Sequence, residues 1–253
     1  MDCLRRVQHG QAARQERVER ALQSHRMTSD EHNCLPAQSA IPLSLVGLIA
    51  MDMDSTAITI ECIDEIADFA GVKAEVSAVT EAAMRGELDF QESLRQRVAC
   101  LEGLSTKVLE EVYEVRLRPS PGLKELMMEA YKNEVKTLLV SGGFTYFTER
   151  MRQRFGYTYT RANTLGEHDG RLTGVVCGAI VDAAEKARVL RFIASTLPAS
   201  RNATIALGDG ANDLPMLHAA TMGVAYHAKP RVREQVKVAI NVGGLDTLLA
   251  LLP

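Results

Sequence analysis

Three apolar runs of strand length punctuate the chain, and each ends on small or acidic residues. Leu43 to Met51 (LSLVGLIAM) runs straight into Asp52, Val135 to Val140 (VKTLLV) into Ser141-Gly142-Gly143, and Ala203 to Leu207 (ATIAL) into Gly208-Asp209-Gly210. Near-continuous apolar runs of this length, bounded by turn residues, are the pattern of strands buried on both faces of a parallel sheet. Weaker strand patterns occupy Gly223 to His227 and Val238 to Val242, and helical periodicity lies around Pro121 to Asn133, Phe144 to Phe155, Ala183 to Ser195 and Asn212 to Ala220. Strands alternating with helices predict an α/β fold, a doubly wound and mostly parallel sheet. Such sheets bind ligands outside the carboxyl ends of their strands, so the three polar clusters are expected to converge.

Two stretches interrupt the alternation. Residues 61–118 form a long helical, charge-rich segment between the first two strands, which predicts a helical cap over the site. Residues 157–178 carry a Thr-rich strand, an Asp169-Gly170 turn and a second strand, the signal of a hairpin that forms a small flap. The first 42 residues differ from the rest. A polar helix is predicted over Arg5 to Gln23, followed by a tether from Thr28 to Pro42 in which Pro36 and Pro42 argue against a regular element. The predicted organisation is an N-terminal arm and linker (1–42), a catalytic core (43–60 and 119–253) and an inserted helical cap (61–118).

Composition narrows the choice of partner. With 253 residues and 46% of them hydrophobic, the chain can bury a full core. A formal net charge of -3 gives no electrostatic case for nucleic acid. Six arginines against three acids precede Met27, but no aromatic residue accompanies them for base stacking, so the arm reads as a solvated face and not as an RNA-binding one. No apolar stretch reaches the roughly 18 residues needed to cross a bilayer, and there is no secretory leader pattern. The five cysteines are scattered without zinc or disulfide spacing, which places the protein in a reducing compartment, the cytoplasm. The expected partner is a small polar molecule, neither nucleic acid nor membrane, and oligomeric state is not legible.

The candidate chemistry sits at the strand ends. Asp52-Met53-Asp54-Ser55-Thr56 puts two carboxylates together, and alternation along an extended chain would turn both to one side. Helix capping accounts for one such residue, not for two aspartates behind a buried strand. One can bind metal and attack an electrophile while the other moves protons. Gly208-Asp209-Gly210-Ala211-Asn212-Asp213 adds further acids, with glycines that let backbone approach a ligand. Hard oxygen ligands of this kind suit magnesium. Ser141-Gly142-Gly143 offers a hydroxyl and backbone N–H groups at a strand-to-helix junction, a phosphate cradle.

In this order the motifs DMDST, VSGGF, Lys186 and GDGAND resemble those of the haloacid dehalogenase superfamily. The cap segments ECIDEIADFAGV and MRGELDFQESLRQRV resemble its phosphoserine phosphatase branch, and the similarity runs from about Leu43 to the C-terminus. The resemblance implies hydrolysis of O-phospho-L-serine through an aspartyl-phosphate, with Asp52 as phosphoacceptor and Asp54 as the acid and base. It implies Mg2+ held by Asp52, the Asp54 carbonyl and Asp209, with Asp213 in support. Ser141, Gly142 and Lys186 would grip the phosphoryl oxygens with Asn212 nearby, Glu61 and Arg97 would reach the amino and carboxylate groups, and Met84 and Phe90 would close over the ligand. Ala57 and Thr221 depart from the family pattern at positions that supply no chemistry, and about 42 N-terminal residues are too few for the folded regulatory domain that many relatives carry. Alternatives are a phosphatase or phosphotransferase for another small phosphomonoester, an idle scaffold that keeps the fold, and an RNA-associated protein working through the arm.

Overall fold

Every residue of β1 (Val46–Met51) is buried, as its apolar run predicts, but the strand begins after Leu43–Leu45, which coils into a short 3-10 turn behind Pro42. The computed structural model describes residues 32–85 and 87–253. The helix expected over Arg5 to Gln23 and the start of the expected tether lie outside the described residues. Among the described residues, β1 joins β2 (Lys136–Phe144), β3 (Tyr159–His168), β4 (Arg171–Cys177), β5 (Ala203–Gly208), β6 (Met222–Tyr226) and β7 (Val238–Ile240). They form one seven-stranded sheet in the order β4-β3-β2-β1-β5-β6-β7. Every neighbouring pair is parallel except β3 with β4.

Helices α1 (Cys62–Ala70), α2 (Lys73–Met84), α3 (Phe90–Ala99) and α4 (Lys107–Glu111) lie in the chain between β1 and β2. The remaining helices, α5 (Leu123–Lys132), α6 (Thr145–Phe155), α7 (Ala183–Ala194), α8 (Leu214–Ala219) and α9 (Pro230–Arg233), follow. Alternation along β1 builds two cores. Ile49 and Met51 join the layer of Leu126 and Phe147 from α5 and α6. Leu48 and Ala50 join Leu190 and Met216 from α7 and α8. This is the doubly wound arrangement.

The register fixes the site. Met51 pairs with Leu139 of β2 on one side and Leu207 of β5 on the other, so the residues that follow leave three adjacent strands at one level. The chain runs from β1 outward to β4 and then returns to the other side of β1, which makes this level the switch point where such sheets bind ligands.

Two expectations need correction. The Thr-rich segment expected to belong to a flap is in its first half a core strand: Tyr159, Thr160 and Arg161 of β3 pair with Leu138, Leu139 and Val140 of β2. Its polar composition hid it. Thr158 N–H donates to Thr137 Oγ1 and Thr137 N–H donates to Thr158 Oγ1, both at 3.1 Å, so threonines here lock the start of the pairing. The outer half does turn back at Asp169 and Gly170, both at positive φ, and β4 then bonds to the helical insertion through Gly103 N–H to Leu172 O and Leu172 N–H to Leu104 O, each 2.8 Å.

The second correction concerns residues 32–42, which are not loosely tethered. Cys34 pairs with Ala239 on the edge of β7, Asn33 Oδ1 accepts from Asn241 and Val242 N–H, and Ile41 N–H donates to Leu251 O at 2.9 Å. A polar, proline-containing stretch can cover a sheet edge with no strand of its own, and here its one regular piece is a three-residue 3-10 turn, Ala37–Ser39, behind Pro36. Thr221, where the family pattern favours a smaller residue, has a structural task. It exchanges hydrogen bonds with Thr204 at the start of β5, backbone N–H to hydroxyl in both directions at 3.0 Å. No described helix is long and apolar enough to cross a membrane.

Candidate active site

Asp52 leaves β1 with its N–H donating to Leu207 O of β5 at 3.0 Å. The chain then does not stay extended, as simple alternation would require. It forms a wide turn closed by Ala57 N–H to Asp52 O (3.2 Å) and Ile58 N–H to Met53 O (3.0 Å), with Ser55 held in the left-handed region at φ 55. A non-glycine residue there stores strain that its surroundings must hold in place. Ser55 N–H donates to Ile60 O at 3.2 Å, and the hydroxyl donates to Glu61 Oε1 at 2.6 Å. This turn, and not strand alternation, brings Asp54 back to the cavity that Asp52 lines.

Asp52 and Lys186 meet inside the protein. Lys186 stands on the first turn of α7, whose N-terminus Asp182 caps by accepting from Glu185 N–H at 2.9 Å. Lys186 is 1% exposed, and its Nζ donates to Asp52 Oδ1 at 2.6 Å and to Asp213 Oδ1 at 2.8 Å. Asp213 is fixed in turn by Gly210 N–H on Oδ2, at 3.0 Å. A Cβ at Gly208 would lie 2.5 Å from Asp213 Cβ, so the motif needs glycine there to let the two segments touch. Burial and the charge of Asp213 push the Asp52 carboxyl up, and the Lys186 ammonium pulls against them. Burial also works against the ammonium, but Asp213 and Asp52 outweigh it and hold Lys186 above the ordinary lysine value.

Carboxylate oxygens of Asp52, Asp209 and Asp213 all lie within 4.8 Å of one another. Asp209 accepts from the buried Thr56 hydroxyl at 3.2 Å, and burial followed by the Asp213 charge pushes its carboxyl up to about 6. A set of oxygen donors this close is suited to a hard divalent cation, which would offset their mutual repulsion. Nearby, Asp54 Oδ1 is buried and has no hydrogen-bond partner among the described residues. Burial, then the Glu61 charge, push the Asp54 carboxyl up to about 7. A carboxyl in this state can give or take a proton near neutral pH.

The third cluster lies on the last residues of β2, not beyond them. Ser141 is buried, and its Oγ accepts from Gly143 N–H at 2.8 Å. A Cβ on Gly143 would stand 2.9 Å from Asp54 Oδ2, so glycine is required by the aspartate beside it. Gly142 faces Phe90 of α3, whose Cζ would be 2.9 Å from an added Cβ.

A cavity of about 470 Å³ collects these groups: Asp52, Asp54, Ser141, Gly142, Asp209 and Asn212 line it from the strand ends, and Glu61, Phe90 and Arg97 line it from the helical insertion. Lys186 lies behind Asp52. The Met84 side chain is outside the described residues. Arg97 donates from Nε to Ser93 O at 3.4 Å and forms no ion pair among the described residues. Burial lowers its pKa against the pull of Asp64, Glu61 and Asp54. Thr56, Asp64, Thr80 and Lys229 were not singled out from the sequence as site residues. Thr56 sits inside the DMDST motif and Asp64 inside the cap segment ECIDEIADFAGV, whereas Thr80 and Lys229 carry no local signal.

The family model of the haloacid dehalogenase-like hydrolases matches residues 49–218. The chain belongs to this family. Among its haloacid dehalogenase-like relatives, a phosphoserine phosphatase of Polaromonas sp. (strain JS666) is 56% identical over 216 residues, covering 83% of this chain and 92% of that protein. The crystal structure of a probable phosphoserine phosphatase from Vibrio cholerae, in unliganded form, superposes with a TM-score of 0.77 at 45% identity, over 85% of this chain and 67% of that one. A structure of the phospho-aspartyl intermediate analogue of phosphoserine phosphatase aligns with a TM-score of 0.74 at 36% identity, over 82% and 99% of the two chains.

Proposed function

We propose that this chain is a phosphoserine phosphatase that hydrolyses O-phospho-L-serine to L-serine and phosphate, the last step of serine formation, in the cytoplasm. The catalytic assignment puts Asp52 as nucleophile. Its carboxylate attacks phosphorus, the bond from phosphorus to the serine oxygen breaks, and Asp54 gives its proton to that oxygen. Asp54, now a carboxylate, takes a proton from water, and the hydroxide so formed displaces Asp52 from the acyl phosphate. The assignment of Asp54 is supported by its raised pKa and by its buried Oδ1, which has no hydrogen-bond partner among the described residues. Ser141, Gly142 and Lys186 would hold the phosphoryl oxygens, with Asn212 beside them.

The acidic cluster fits magnesium. Asp52 and Asp209 would hold it together with the Asp54 carbonyl, and Asp213 would support them while anchoring Lys186. Bound there, magnesium supplies positive charge to the phosphoryl oxygens in the transition state. The same reading assigns residues 43–60 and 119–253 to the catalytic core, with residues 32–42 covering its β7 edge, and 61–118 to a cap that supplies substrate selectivity.

The observation that carries phosphoserine over other small phosphomonoesters is the pair Glu61 and Arg97 on the cap wall of the cavity that Asp52 lines. Phosphoserine bears an ammonium and a carboxylate on one carbon, and an acid and a guanidinium that has no ion pair among the described residues match them. Phosphate release from phosphoserine, phosphothreonine and phosphoethanolamine, measured with magnesium, tests this. Phosphoserine is expected to lead clearly, and a flat panel would sink the assignment. Asp52→Asn is expected to remain folded and lose turnover, and persistent activity would rule out the covalent route.

A further inference from the structure

Asn163 on β3 is 1% exposed, and its carboxamide is engaged at both ends. Nδ2 donates to Gly142 O at 2.7 Å, and Oδ1 accepts from Val181 N–H at 2.7 Å. Its orientation is fixed by its partners, because one is a pure acceptor and the other a pure donor. The β2–β3 ladder shifts register between Val140 and Phe144, so the Gly142 carbonyl is satisfied by this side chain.

Each bond leads to a group assigned to the phosphoryl site. Gly142 C=O and Gly143 N–H belong to one planar trans peptide and point opposite ways, so holding the carbonyl aims the N–H. That N–H donates to Ser141 Oγ, which leaves the hydroxyl proton free to donate elsewhere. On the other side, Val181 precedes Asp182, the cap of the helix that carries Lys186. Asp182 also accepts from Gln91 of α3 at 2.8 Å, the helix that bears Phe90 and Arg97. The serine hydroxyl, the lysine helix and the cap helix are thus referred to one buried amide.

We propose that Asn163 is a positioning residue for phosphoryl transfer, setting the Ser141-Gly142-Gly143 cradle and the Lys186 helix at a fixed separation. This rests on the phosphatase reading above. Asn163→Asp keeps the shape but sets an acceptor against the Gly142 carbonyl, and Asn163→Ala removes both bonds.

The test compares these variants with wild type by calorimetric binding of inorganic phosphate in the presence of magnesium, by kcat/KM on phosphoserine and phosphoethanolamine, and by Tm. Thr221→Val, which removes the hydroxyl arm of the part-buried bracket with Thr204 at the start of β5, away from the site, is the structural control. Phosphate affinity and kcat/KM should fall by on the order of 100-fold, the cost of slightly misplaced reacting groups, and equally on both substrates. Thr221→Val should lower Tm alone. Folded Asn163 variants with unchanged phosphate affinity, or a loss confined to Tm, would overturn the proposal. Because phosphate binding is read directly, it decides Asn163 even if wild type fails to favour phosphoserine.

Discussion

Lys186 Nζ lies 2.6 Å from Asp52 Oδ1 although 134 residues separate the two in the chain. Together with Asp213 it forms a buried cluster of one cation and two carboxylates. Removing the cation leaves two like charges out of water, so Lys186→Met is expected to destabilise the fold by about 3–5 kcal/mol. The carboxylates can relieve this by taking up a proton. Because the Asp52 carboxyl is already pushed up, the variant's deficit should shrink toward low pH and grow as pH rises through the raised value. Denaturant melts at several pH values check this, and a pH-independent deficit would contradict it.

Metal binding should show the opposite face of the same electrostatics. The Asp209 carboxyl is pushed up to about 6, against about 3.9 in an unfolded chain. Its contribution to stability is therefore full below the unfolded value and lost as pH rises through about 6. A cation ligated by Asp209 replaces the proton, so magnesium should raise Tm little at low pH and substantially above neutrality. Thermal melts with and without magnesium across that range measure the difference, and an equal gain throughout would argue against Asp209 as a ligand.

Asp54 gives a kinetic counterpart. With its carboxyl at about 7, the acid form should fade as pH rises through neutrality, and kcat/KM on phosphoserine should fall with it. Burial is the larger cause and Glu61 the next, so Glu61→Gln should move this limb to lower pH. A substrate with a good leaving group, such as p-nitrophenyl phosphate, should not show the limb. If Glu61→Gln lowers the rate without moving the limb, the limb belongs to another group.

The N-terminal edge makes a separable prediction. Removing residues 1–42 should lower Tm by several degrees relative to removing only 1–31, because the longer cut exposes the edge of β7 and the backbone partners of Ile41 and Cys34. The kcat of the folded protein should be the same for both. Identical melts would mean that these contacts contribute nothing.

What could be read in advance follows from where the physics is local. The three strand-end clusters were legible because a doubly buried strand writes a continuous apolar run, and a functional end breaks it abruptly at Asp52, Ser141 and Asp209. β3 was not legible as a core strand, since its threonines are half-buried or exposed and Asn163 is buried through hydrogen bonds and not through apolarity. The route by which Asp54 returns to the cavity was also hidden. It depends on the left-handed Ser55 and on Gly143 making room, neither of which follows from the alternation of side chains. Asn163 had no motif at all, because its partners lie 18 and 21 residues away.

Arg97 carries the last prediction, and it separates reading the serine from holding the phosphate. The side chain lines the cavity from α3, is taken from water far enough for burial to lower its pKa, and forms no ion pair among the described residues. A guanidinium in that state is costly unless a ligand completes it, and a carboxylate can do so through two parallel hydrogen bonds that lysine cannot reproduce. Arg97→Ala should therefore cost about 2 to 4 kcal/mol in kcat/KM on phosphoserine, and Arg97→Lys should recover only part of it. Phosphoethanolamine, which keeps the phosphate and ammonium but lacks the carboxylate, should change far less. The two substrates measured on the three proteins decide the matter. Equal losses would place Arg97 in support of the fold or the phosphate, and selectivity for serine would then have to come from Glu61 and the shape of the cap.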